Sequence, residues 1–182
     1  GGAKSGCYVY VNGILVGYNE DSKNTAEYNL TPYLHKGENL VALKIYRWST
    51  GSYLECQDFW RLSGIERDVY VFAQPKVHLF DYRITPIVEH LAEDGLIGSG
   101  YFELDAVVKN NSKSNATVEL SLGGALSGVE KRSVSIAAGE ESLQSFKIPF
   151  EGWNLWSAET PVLYDGSIAL SQGGNVSEKV AF

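Results

Sequence analysis

The sequence predicts an all-β protein, and three observations carry that expectation. Runs rich in Val, Ile, Tyr and Phe recur at short intervals, and no window sustains a helical period. Residues 7–11 (CYVYV), Asn12-Gly13 and residues 14–18 (ILVGY) read as a hairpin, because Asn-Gly accepts the positive φ angles of a tight two-residue turn. From Lys76 onward, seven short strand-like runs separated by Gly, Asn, Asp and Ser fit an immunoglobulin-like sandwich.

After the hairpin, residues 27–34 (EYNLTPYL) read as a strand and short turn. Lys36-Gly37-Glu38-Asn39 makes a second turn, and residues 39–48 (NLVALKIYRW) a strand with an aromatic, basic end. Residues 48–64 (WSTGSYLECQDFWRLSG) match neither period and form a loop long enough to suggest function. Residues 66–74 (ERDVYVFAQ) resume a strand that Pro75 ends. The sandwich strands are expected at residues 77–88, 101–110, 116–123, 129–137, 141–150, 162–171 and 176–182. Two domains follow, residues 1–75 and residues 76–182.

Composition excludes several classes. The net charge is −7, and no basic cluster offers a surface for phosphates, so no nucleic-acid partner is expected. The surplus of acid lies mostly in residues 76–182, with eight Lys/Arg against fourteen Asp/Glu. No apolar run reaches the roughly 18 residues of a membrane helix, so a soluble chain with no membrane partner is expected. The chain contains no Met, which suggests a piece of a longer protein. Cys7 and Cys56 lack the spacing of a zinc site and read as free thiols. His35, His78 and His90 lie far apart and read as surface or loop residues. The sequons at Asn29, Asn110, Asn115 and Asn175 read as chance matches, and the acidic pairs Glu20-Asp21, Glu93-Asp94 and Glu140-Glu141 as solvated turns.

Residues 48–64 are where acids, aromatics and glycines crowd together. The flat faces of Trp48, Tyr53 and Trp60 could lie against a sugar ring, while Glu55, Gln57, Asp58 and Arg61 bond its hydroxyls. The opposing reading makes Trp48 and Trp60 core aromatics and has Arg61 brace the loop by pairing with Asp68 or Glu55. A retaining glycosidase needs two carboxyl groups about 5–5.5 Å apart, and nothing in the sequence arranges Glu55 and Asp58 that way. No catalytic residue is therefore assigned to this chain.

The segments VYVNGILVGYNEDSK (residues 9–23), YRWSTGSYLE (46–55) and QDFWRLSGIERDVYV (57–71) resemble the sugar-binding domain of the family 2 glycoside hydrolases, in particular its β-galactosidases. WNLWSAETPVLYDGSIAL (153–170) resembles the end of that family's first immunoglobulin-like domain. The resemblance implies the C-terminal part of a jelly-roll domain in residues 1–75, followed by the sandwich. It also implies that the two catalytic glutamates belong to a barrel domain with no counterpart here. The parent would be a retaining β-galactosidase of the bacterial cytoplasm or periplasm, with a galactoside substrate and the remaining domains of the same chain as partners.

On the family's pattern, Asp58 contacts the galactosyl group and helps hold a sodium ion, with Glu55, Trp60 and Arg61 supporting the loop. Thr50 and Cys56 stand where some β-galactosidases have aspartates, so a magnesium site from this segment is not expected. Glu66 stands where a large aromatic or aliphatic residue is common. A stand-alone carbohydrate-binding or adhesion module is the rival reading. Because residues 1–75 would lack covering strands, the first domain is expected either to be partly disordered or to associate between copies as a homo-oligomer.

Overall fold

The computed structural model describes residues 1–55, 58, 60–93 and 95–171, together with the backbone of residues 175–180. Among these residues the architecture is all-β: part of a jelly-roll followed by an immunoglobulin-like sandwich. They form two compact units, Gly1–Phe72 and Ala73–Phe182.

In the first unit, β1 (Ala3–Lys4) leads into β2 (Gly6–Val11), which turns at Asn12-Gly13 into β3 (Ile14–Asn19). Asn12 and Gly13 adopt φ of 52° and 84°, as a two-residue hairpin turn requires. The Asn12 side chain also ties this turn to the next. Its amide donates to Tyr33 O and to Asn39 Oδ1, both at 2.9 Å, and its Oδ1 accepts from Leu40 N. Strand β4 (Val41–Tyr46) pairs with the other edge of β2, giving the order β3-β2-β4. One turn of helix, α1 (Ser52–Glu55), interrupts the long loop, and β5 (Gly64–Ile65) pairs with β1.

Two expected strands do not form. Residues 27–30 carry no strand and lead into a 3-10 turn at Thr31–Tyr33, where Pro32 favours the tight entry. Residues 66–74 also carry no strand, and Val69, Tyr70, Val71 and Phe72 are 58–71% exposed. Alternation along a chain is local, but a strand needs a neighbour about 4.8 Å away to take its backbone bonds. Glu66 N donates to Gly2 O and Asp68 O accepts from Gly1 N, but no strand ladder continues from these bonds into Val69–Phe72.

The second unit begins at β6 (Val77–Leu91), which pairs antiparallel with β7 (Ile97–Asn110). Next come β8 (Ala116–Gly124), β9 (Arg132–Ile136), β10 (Glu141–Asn154), β11 (Tyr164–Leu170) and β12 (Asn175–Val180). All seven expected strands are present, in two sheets ordered β10-β7-β6 and β12-β11-β8-β9. Pro86 and Pro149 fall within β6 and β10, both sheet edges, where the missing N–H leaves no ladder bond unmade. In β7 every second residue, Phe102, Leu104, Ala106, Val108 and Asn110, is fully buried. Gly100 sits where β6 passes so close that a Cβ would lie 2.0 Å from Ile87 O.

Asn110 shows how a polar residue ends this core. Its amide donates to the carbonyls of Ser114, Ile136 and Ala137, and its Oδ1 accepts from Ser112 N and Oγ. Being fully buried, it cannot serve as a glycan acceptor. His78 departs from the expected surface position. It is buried, with Nδ1 2.9 Å from Pro75 O, because β6 starts on the core face.

The units differ in how much they bury. Among the described residues, three apolar side chains are buried in the first unit (Cys7, Val9 and Val11) against sixteen in the second. Native-state proteolysis should therefore cut residues 1–72 well before the sandwich, since local opening follows sparse apolar packing. Equal resistance of the two units would contradict this.

Candidate functional site

The loop of residues 48–64 is anchored from below by groups that other strands supply. Glu20, just beyond β3, accepts from Gly51 N through Oε2 at 2.6 Å and from the Tyr18 phenol through Oε1 at 2.6 Å. These two bonds, the Tyr18 bond foremost, hold the Glu20 carboxyl below its ordinary value, and the Tyr18 phenol is pushed up to about 12. Read in sequence as a solvated acid, Glu20 is instead the cap of the turn that launches α1. Beside it, the Asp21 carboxylate accepts from the backbone of Lys23 and Asn24 and closes its own tight turn.

The serines of the loop add a second anchor. Ser5 Oγ meets the hydroxyls of both Ser49 and Ser52, the latter at 2.7 Å, and Ser49 N donates to Ser52 Oγ. Ser22 N donates to Glu55 Oε1 at 3.2 Å, and Lys4 Nζ donates to Trp60 O at 3.1 Å. Residues on β1, on β2's approach and beyond β3 therefore fix both ends of the loop. Lys4, Ser5, Glu20 and Ser22 were not legible as site residues, since their roles depend on partners 31 to 56 positions away.

Above these anchors the loop presents aromatics and cations. Trp48, Tyr53 and Trp60 are 53%, 92% and 78% exposed. Trp48 and Trp60 are thus not core aromatics. The guanidinium carbons of Arg47 and Arg61 lie 5.5 and 5.8 Å from the Trp48 ring centre, and Arg47 Nη2 donates weakly to Arg61 O at 3.5 Å. Among the described residues, Arg61 pairs with neither Asp68 nor Glu55. Its placement on an indole face is a cation–π contact instead.

Asp58 lies at the exposed crest of the loop and joins no ion pair among the described residues. The structure thus brings Glu55, Trp60 and Arg61 into one loop with Asp58. Glu55 is turned toward Ser22, while Asp58 is exposed. Cys56 and Gln57 lie outside the described residues. Cys7 is a free, buried thiol whose pKa burial pushes up.

The family model described as "Glycosyl hydrolases family 2, sugar binding domain" matches residues 1–75, and the model "Glycosyl hydrolases family 2" matches residues 77–181. The chain belongs to glycosyl hydrolase family 2. A β-galactosidase of Priestia megaterium is 37% identical over 97% of the chain, and one of Pectobacterium atrosepticum is 36% identical over the whole of it. The chain spans only 17% and 18% of those two relatives. Among solved structures, a Bacteroides uniformis β-glucuronidase superposes on the whole chain with a TM-score of 0.83 at 24% identity, 23% of that protein being covered. This last likeness concerns the fold.

As a family 2 sugar-binding unit, the first domain should depend on its loop anchors, and Glu20 gives that dependence a sign. Its folded pKa is depressed, so its contribution is present above the ordinary carboxylate value of about 4.3 and is lost as pH falls through the lower folded value. Acid titration followed by Trp fluorescence should show a loop transition in that range, and Glu20→Gln should remove it. An unchanged transition would mean that Glu20 is not the anchor.

Proposed function

We propose that this chain is the noncatalytic, substrate-facing part of a β-galactosidase. It supplies the loop bearing Asp58 to an active site whose catalytic carboxyls belong to another domain of the same protein. The observation that carries the reading is the loop itself: an exposed carboxylate with no ion pair among the described residues, two positions before the exposed Trp60, on a loop whose start is hydrogen-bonded by Glu20 and the serine cluster. Support also comes from relatives named β-galactosidase that align with nearly the entire chain.

In this role the chain performs no bond cleavage. Asp58 accepts a hydrogen bond from a galactosyl hydroxyl, and the exposed aromatic faces exclude water beside the ring. Retention of configuration and the covalent intermediate would belong to two carboxyl groups about 5–5.5 Å apart in the barrel.

A metal role for the loop can be weighed from its donors. Among the described residues no group of three or more His, Cys, Asp or Glu side chains could hold an ion. Asp58 alone is a single hard ligand, so sodium there would need its remaining ligands from elsewhere in the protein. Thr50 offers a hydroxyl in place of a carboxylate, which does not favour magnesium at that turn. No part of the proposed role runs through either ion.

The test compares the chain by itself with the whole protein. The chain should leave a chromogenic β-galactoside uncut and bind galactose or lactose more weakly than millimolar, whereas the whole protein cleaves the substrate. Turnover that follows the chain through repurification would overturn the reading. Millimolar or tighter binding by the chain would favour a stand-alone carbohydrate-binding module, for which the exposed Trp48, Tyr53 and Trp60 would be the platform.

A further inference from the structure

A small cavity of about 10 Å³ is lined by Lys4, Ser5, Ser22, Ser52 and Glu55 and also by Trp48 and Leu62, so that polar groups stand in a largely apolar wall. Ser22 is 2% exposed, and among the described residues its hydroxyl has no hydrogen-bond partner. A buried hydroxyl left unpaired is costly, and a cavity near the size of one water sphere, about 10–15 Å³, can hold an ordered water that resolves that cost where further polar partners share the wall. We propose that this cavity is a binding site for one ordered water molecule, held by Ser22 Oγ and by the Glu55 carboxylate and serine hydroxyls that share the cavity.

The lining identifies the occupant. Lys4 and Arg61 among the lining residues carry positive charge, which disfavours a metal cation. An oxyanion of several atoms exceeds the volume and would meet the Glu55 carboxylate. Water can accept from one neighbour and donate to another, which matches a wall holding hydroxyls, a carboxylate and an ammonium.

The site has a structural consequence independent of any sugar. Ser22 follows β3, Lys4 belongs to β1, Ser52 and Glu55 to α1, and Arg61 to the far end of the loop. A single water here bridges three segments distant in sequence. It adds a brace beneath Asp58 and Trp60 without occupying the exposed face.

Crystals of the full-length protein diffracting to high resolution should show a density peak within hydrogen-bond distance of Ser22 Oγ in the cavity. Ser22→Ala removes one partner of that water, so the loop should open more often. Limited chymotrypsin digestion at the exposed Tyr53, Leu54, Trp60 and Leu62 should then run at least fivefold faster than in the parent. A dry cavity in the crystal would overturn the proposal. So would Ser22→Ala digestion at the parent's rate or slower, because deleting a hydroxyl that lacks any partner relieves a penalty rather than breaking a bond.

Discussion

Phe102→Ala should destabilise the sandwich by about 3–5 kcal/mol, the largest stability loss expected from a single substitution in this chain. Phe102 is fully buried in the central strand β7, with its ring 5.0 Å from Phe150 and 6.1 Å from Trp153. Neighbours on a hydrogen-bonded sheet cannot close around the vacated volume, so the lost transfer energy is joined by a cavity term. Trp153 provides a reporter, since it packs on the core and stacks on Tyr164 at 4.5 Å. Denaturant unfolding followed by indole emission should show the midpoint fall sharply while residues 1–72 keep their own transition. A loss below about 1 kcal/mol would mean that β7 is not the centre of this core.

The sandwich was legible because its signals are local and redundant. Alternation in YFELDAVVKN places Phe102, Leu104, Ala106 and Val108 on one face whatever the partner, and turn residues mark where each strand stops. The Asn12-Gly13 hairpin was legible for the same reason, its backbone requirement being written in two adjacent residues.

Residues 66–74 misled because strand propensity does not supply a neighbour. The same four apolar side chains that suggested a strand are exposed in the structure. His78 misled in the opposite sense, since its polar type hid a core-facing register.

The candidate site was half legible. Aromatic and acidic density marked residues 48–64, and the resemblance singled out Asp58. The anchors were not legible, because Glu20 reads as one of several surface acids until Gly51 N is found 2.6 Å from it. Ser22 carries no motif at all, and only a three-dimensional account of its hydroxyl makes it notable. One of the two sequence readings pairs Arg61 with Asp68 or Glu55, whereas in the structure its guanidinium rests on Trp48, an alternative that composition does not distinguish.

Asp58 is proposed to meet the substrate in an active site completed by other parts of the protein. Kinetics of Asp58→Asn in the full-length protein test it most directly. Asparagine keeps the size and one acceptor but removes the charge, so the bond to a sugar hydroxyl weakens while the exposed loop keeps its anchors. In this variant kcat/KM for a β-galactoside should fall about ten- to a hundredfold, equivalent to about 1.4–2.8 kcal/mol of transition-state interaction, with unfolding unchanged. A kcat/KM equal to that of the parent protein, with the loop intact, would contradict it and leave Asp58 as a surface residue of the loop.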